Sequence, residues 1–229
     1  MRMKYFIYAL GLFFTILFFS ACEGNKVKDH KAKLRTINAS YNAGDVNLFV
    51  DYEPVYASNI QYLNFSLFRE FIEGPHKIQI KNAMGNVIVD TALLMTENKH
   101  YSLFVYDSVN TLRYKVIDEN YVTAPGSNCK IRFLHFSNNA PSVDIHRDED
   151  TVPLFTNYTN GLNSEYIQMN DGIHQFKAKG TGGMNTLTTQ NPYNYKAGAF
   201  YTLFLRGNVG ATGLDSLSFF VIESTLDYL

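Results

Sequence analysis

The sequence predicts an all-β chain: two antiparallel β-sandwiches in tandem, preceded by an export segment. Three observations carry this reading. Apolar residues alternate with a period of two, as at Val46, Leu48 and Val50, which sets one side of an extended strand in a core and the other toward solvent. Aromatics make up 15% of the 229 residues, all Phe (18) or Tyr (16) with no Trp, and these side chains suit pleated sheet better than helix. The segment after residue 33 also occurs twice. The charge balance narrows the function further. With 20 basic and 21 acidic residues and a net charge of −1, there is no basic surface to expect for nucleic acid. At 46% apolar and 18% charged, the chain is not a disordered one.

Residues 1–21 read as a signal peptide. Arg2 and Lys4 open it, and 5–19 are uncharged and apolar, a run too short to span a bilayer as a helix. Ser20-Ala21-Cys22 then resembles the bacterial lipobox, with Phe19 where Leu is usual. The resemblance implies cleavage before Cys22 and lipid on its sulfur, so the membrane is the first expected partner. Glu23 in place of Asp implies, by the same resemblance, the outer membrane over the inner. Residues 22–33 are polar and mixed in charge, a tether in character. Cys129 is then without a partner in the chain, and since it opens an apolar run it reads as a buried thiol.

The duplication sets the domain limits. Residues 34–43 lie over 131–140 at a spacing of 97 without gaps, with identities at Arg35/Arg132, Ser40/Ser137, Asn42/Asn139 and Ala43/Ala140. Gly74-Pro75-His76 lies over Gly172-Ile173-His174 at 98, and Tyr101-Ser102-Leu103-Phe104 over Tyr201-Thr202-Leu203-Phe204 at 100. Spacings that only grow are what loop insertions produce in one of two copies. The first sandwich is placed at 34–122, a breaker-rich linker at 123–128, and the second sandwich at 129–229. Copy one yields seven strand-like runs, at 34–40, 45–51, 62–70, 75–81, 86–94, 99–106 and 112–118. Turn signals such as Met84-Gly85-Asn86 separate them, the pattern of an antiparallel sandwich.

The stretch Ile131-Arg132-Phe133-Leu134-His135-Phe136-Ser137-Asn138-Asn139-Ala140-Pro141-Ser142-Val143-Asp144-Ile145 resembles the start of domain-of-unknown-function family 4397. Its members are exported bacterial proteins, often lipoproteins, with tandem immunoglobulin-like domains. The resemblance implies that fold here and brings no catalytic residues with it. Copy one has Ala43-Gly44 for Ala-Pro and Asn47 for Asp144, so its link to the family runs through the duplication.

Candidate chemistry is sparse. His30, His76, His100, His135, His146 and His174 form no metal-ligand spacing, and no metal or other cofactor is expected. His76 and His174 read as structural histidines at the rims of their cores. Asp148-Glu149-Asp150 lacks the alternating acidic pattern of a calcium loop and reads as a hairpin tip. There is no nucleophile elbow and no phosphate-binding glycine loop, so the protein is not expected to be an enzyme. The loops carrying Tyr158 and Asn160, and Tyr193, Asn194 and Tyr195, combine aromatic faces with amides and are the expected ligand-binding residues. Asp-Ser/Thr followed by a small or apolar residue occurs at Thr91, Ser108, Thr151 and Ser216. This resembles the periplasmic O-glycosylation sequon of gut-type Gram-negative bacteria. The leading expectation is a lipid-anchored, non-catalytic envelope protein that presents two domains for adhesion or for a protein or glycan ligand. A glycan-active enzyme or carbohydrate-handling accessory, and a structural spacer of a surface complex, are the alternatives.

Overall fold

Residues 30–108, 111–119, 121, 126–183 and 185–224 are described by the computed structural model. The expected signal peptide, Cys22 and most of the expected tether lie outside them. The first copy contains β1 (Lys31–Asn38), β2 (Val46–Val50), β3 (Glu53–Pro54), β4 (Arg69–Ile72), β5 (Gly74–Asn82), β6 (Val87–Met95), β7 (His100–Ser108) and β8 (Thr111–Asp118). The second contains β9 (Asn128–His135), β10 (Val143–Arg147), β11 (Phe155–Tyr158), β12 (Ile167–Asn170), β13 (Gly172–His174), β14 (Phe176–Gly180), β15 (Thr186–Thr189), β16 (Tyr193–Tyr195), β17 (Phe200–Arg206) and β18 (Ser218–Ser224). Lys31 to Lys33 therefore belong to the first strand, not to the tether.

Each copy is a sandwich, as the alternation requires. Sheet β4-β1-β7-β8 faces sheet β3-β2-β5-β6, and sheet β12-β9-β17-β18 faces sheet β11-β10-β14-β15. Leu34, Leu48, Ile78, Ile80, Leu103 and Val105 fill the first core, while Ile131, Phe133, Ile145, Phe176, Leu203 and Leu205 fill the second. Cys129 is buried in the second core as a free thiol, and burial pushes it up to about 11. The ladders are antiparallel with one exception in each copy: β1 runs parallel to β7, and β9 parallel to β17. In copy two the long β5–β6 hairpin is split into β13–β16 and β14–β15. Pro192, which has no N–H for a ladder, falls in the gap.

Two expectations need correction. The run 62–70 is not one strand: an isolated bridge forms at Phe65, and regular pairing starts only at Arg69. Leu63 has a φ of 60°, a left-handed turn that extended chain cannot absorb. Nor do β1, β7, β9 and β17 show one face to solvent. Their outward residues Ile37, Phe104, Leu134 and Phe204, with Phe136 just past the end of β9, form a third core between the sandwiches. There the rings of Tyr106 and Phe136 stack at 4.3 Å and those of Phe104 and Phe136 lie 5.3 Å apart. The molecule is thus four sheets deep, with three apolar layers between them.

At one end of the middle layer lies a polar knot. Arg35 Nη2 donates to Glu119 Oε1 at 3.1 Å and Arg132 Nη2 to the same oxygen at 2.6 Å. The two arginines are 4% and 2% exposed, and Glu119 is 1%. Arg35 Nε also donates to Ser102 Oγ at 2.7 Å and Arg132 Nε to Thr202 Oγ1 at 3.0 Å, so the duplicated pairs repeat the same bond. Burial alone would raise the Glu119 carboxyl, but the two guanidinium charges outweigh it and hold it at about 2. Glu119→Gln leaves two buried guanidiniums without their anion and should cost roughly 3–5 kcal/mol in denaturant unfolding. In the native protein the stabilisation from Glu119 is present above the unfolded carboxylate value near pH ~4.3 and is lost as the pH falls toward 2. The variant should show a weaker acid dependence over that window.

His135 is fully buried, as is its repeat partner Asn38. Asn38 Nδ2 donates to the Gly44 carbonyl at 2.7 Å, and His135 Nε2 lies 3.1 Å from the equivalent Pro141 carbonyl. Desolvation lowers the His135 imidazole from its ordinary value, so the fold holds it neutral. The unfolded chain takes up a proton near pH ~6.5 and the native state only at lower pH, so stability falls as the pH drops below that point. His135→Asn, which copies the first domain, should flatten the loss of melting temperature between about pH 6.5 and pH 5.

Candidate functional site

The segment 61–68 departs from strand geometry where it crosses the edge of the first sandwich, and this opens a cleft against the second. The cleft encloses about 350 Å³ and is lined by Arg35, Phe65, Ser66, Leu67 and Phe68 from copy one and by Lys196, Glu223 and Ser224 from copy two. Its position follows from local bonds. Ser66 Oγ accepts the Thr36 N–H at 2.9 Å and donates to Tyr56 Oη at 2.8 Å, pinning the segment against β1. The rings of Phe65 and Phe68 are then carried over the Arg35 guanidinium, at 5.9 and 4.7 Å, a cation–π arrangement. Leu67 points outward and is 68% exposed. On the opposite wall Lys196 Nζ pairs with Glu223 at 3.0 Å.

The duplication supplies an internal comparison. In copy two Ser164 Oγ accepts the Phe133 N–H at 2.8 Å, so Ser164 is the partner of Ser66 and Tyr166 of Phe68. Tyr166 covers Arg132 at 4.7 Å, the distance from Phe68 to Arg35. Its hydroxyl, however, donates to Glu119 Oε2 at 3.0 Å, and its ring packs on Phe200 at 5.4 Å. On that side the aromatic ring is thus tied to the Glu119 carboxylate. Phe68 has no hydroxyl to reach inward. The residue matching Glu119 at the end of β18 is Ser224, whose Oγ accepts from Arg35 at 3.3 Å. Two arginines therefore share one carboxylate. The excess positive charge lies toward the open side, in a low-dielectric setting where it acts strongly.

The five residues expected to bind ligand are not brought together. Tyr195 is fully buried, its hydroxyl donating to Gln190 Oε1 at 3.2 Å, and burial raises it well above the ordinary tyrosine value. It is core, not surface. Tyr158 packs edge-on against Phe133 at 5.5 Å, and Asn160 Nδ2 donates to the Ser137 carbonyl at 2.7 Å. Tyr158 pairs with Val143 at one end of β10, whereas β16 with Asn194 pairs with β13 beyond the opposite end. Asn194 is exposed. Tyr193 reaches the cleft indirectly, its hydroxyl donating to Glu223 Oε2 at 3.3 Å. Of the expected modification positions, Thr151 is exposed, Thr91 Oγ1 accepts from Tyr114 at 2.9 Å, and Ser216 Oγ donates to the Gly213 carbonyl at 2.8 Å. The Ser108 side chain lies outside the described residues.

The remaining candidates are structural. His76 Nδ1 lies 2.7 Å from Asp51 Oδ2, and His174 Nδ1 2.7 Å from Asp148 Oδ2. The bond from His76 holds the Asp51 carboxyl below its usual value. In the acidic tip, Glu149 pairs with Lys177 at 2.7 Å and Asp150 with Arg147 at 3.1 Å, so the carboxylates face their own cations and not a common point. His135 and His146 sit on strands of different sheets. Asp144 caps two turns, accepting from the Asn157 and Gly182 N–H groups at 2.8 and 3.1 Å.

A family model described as a domain of unknown function, DUF4397, matches residues 32–146, half of the chain. The chain belongs to that family. The DUF4397 match takes in the first sandwich from Ala32 onward together with β9 and most of β10, so copy one meets the family directly and not only through its likeness to copy two. No curated protein matches. Two solved structures are similar over much of the chain. One is described as "Alpha-glucan binding by a streptococcal virulence factor", at 11% identity, covering 82% of this chain and 96% of that one, with a TM-score of 0.25. The other is a leucine-rich repeat protein from Bacteroides thetaiotaomicron, at 10% identity, covering 80% and 26%, with a TM-score of 0.19. At such scores neither bears on the fold or the ligand of this DUF4397 chain.

Proposed function

We propose that this is a lipid-anchored, non-catalytic protein of the bacterial cell envelope that captures a ligand in the cleft between its two sandwiches. One observation carries the reading: the two copies repeat the same bonds around Arg35 and Arg132, and they diverge where the cleft opens. The cleft is of the size that small ligands or single side chains occupy. Its aromatic wall suits a ring or an apolar group. The single carboxylate between two guanidiniums favours an acidic group on the same ligand, as in an acidic sugar or a peptide with Asp or Glu beside an apolar residue. Among the described cleft residues there is no pair of carboxylates and no nucleophile beside a base, which is why binding is favoured over conversion. The sequence of residues 1–22 supports anchoring through Cys22.

Two measurements test this. Acidic and neutral oligosaccharides and peptides are screened against the full chain, and binding of the acidic members should weaken as salt rises. Leu67→Asp places a like charge at the rim without touching the core. It should lower affinity for the same ligand by on the order of tenfold with an unchanged melting temperature. Equal binding by this variant would place the ligand elsewhere. Separately, Cys22→Ala should move the protein from the membrane to the soluble fraction of the cell, whereas retention in the membrane fraction would remove the lipid anchor from the reading.

A further inference from the structure

A second site lies far from the aromatic cleft in chemistry, at the point where the chain enters β1. Here three segments meet: the residue before β1, the turn between β4 and β5, and the turn between β6 and β7. Two backbone bonds hold them together, Glu73 N–H to the His30 carbonyl and Asn98 N–H to the Lys31 carbonyl, each at 2.8 Å. The side chains of His30, Glu73 and Glu97 project from them into one group. Their ligand atoms all lie within 4.8 Å of one another, and His30 Nδ1 is 2.6 Å from Glu97 Oε2.

We propose that His30, Glu73 and Glu97 bind a divalent transition-metal ion of the zinc type, which pins the N-terminal end of the first sandwich to two of its turns. The donor set is one imidazole nitrogen and two carboxylates. With metal–ligand bonds of roughly 2.0–2.2 Å, donors around one ion stand up to about 4 Å apart, so a small side-chain rotation closes the site. Imidazole favours zinc and its neighbours over calcium or magnesium, which take oxygen. Two of the lysines nearby are engaged by other carboxylates: Lys31 with Glu70 at 3.1 Å and Lys99 with Asp118 at 2.7 Å. Copy two again serves as a control. It repeats one of the two backbone bonds, with Gly198 N–H bonded to the Asn128 carbonyl at 2.9 Å, but carries Ser127, Asp171 and Ala197 at the matching positions. The fold closes there without a triad, so the triad of copy one is not a requirement of folding. With three protein ligands, at least one coordination position stays open to water or to a partner's donor.

The experiment is calorimetric titration of zinc chloride into the full chain in detergent, with any metal-binding tag removed. One equivalent should bind. His30→Ala and Glu97→Gln should each weaken binding by on the order of tenfold or more, and Cys129→Ser should leave it unchanged, which separates this site from thiol coordination. Zinc should raise the melting temperature of the native chain and of Cys129→Ser above the value each has in EDTA, and should leave that of His30→Ala at its own EDTA value. Absence of binding at millimolar zinc, or binding that survives both triad substitutions, would overturn the proposal.

Discussion

Glu119 sits between two arginines that the duplication made equivalent, and the relation of the two sandwiches depends on it. An apolar interface between flat sheets is tolerant of sliding, because Phe and Leu side chains pack acceptably in several registers. A buried carboxylate that must meet two guanidiniums is not tolerant: moving either sandwich along the other would strand a charge in the interior. The aromatic layer of Phe104, Phe136 and Phe204 supplies most of the attraction. The knot supplies the position. Its anion comes from the end of β8, just before the connection, so the residue that locks the halves is also the one from which the chain departs for the second copy.

Much of the fold is legible in the sequence, and for a physical reason. Alternation at Val46, Leu48 and Val50 is imposed by the pleat, and the burial of those residues follows it. The slow growth in repeat spacing places insertions in turns, where the structure has them. Less legible was the four-layer stack. Its signal was partial: the outward positions of β1 and β9 are mostly Lys, Arg or Asn, and only Ile37 and Leu134 at their ends join the third core. The repeat-equivalent arginines Arg35 and Arg132 on those same sides, once buried, call for a shared counter-ion. That residue, Glu119, lies outside both repeats' strands, so spacing alone did not lead to it.

The tyrosine-rich loops misdirected the reading of the site because residue type does not fix orientation. Tyr195 occupies a strand position facing the core, and Gln190 satisfies its hydroxyl there, so its aromatic surface serves packing. Segment 61–68 shows the converse error. Its Phe and Leu content suggests a strand, yet the turn at Leu63 lifts it away from regular pairing, and its side chains become the wall of a cleft. In both cases the deciding fact is one backbone angle or one hydrogen bond to a distant residue, which a local pattern does not contain.

Two copies of one domain that stayed identical would present the same local bonds twice. Here the copies match at Arg35 and Arg132, at Ser102 and Thr202, and at Ser66 and Ser164. The match breaks at Glu119 against Ser224 and at Phe68 against Tyr166. Both breaks act on one place. A carboxylate at position 224 would neutralise the excess charge, and a tyrosine at 68 would carry a hydroxyl like the one Tyr166 donates to Glu119. The differences that leave the scaffold intact therefore fall together at the cleft, where Arg35 meets Ser224 in place of a second carboxylate and Phe68 in place of a tyrosine.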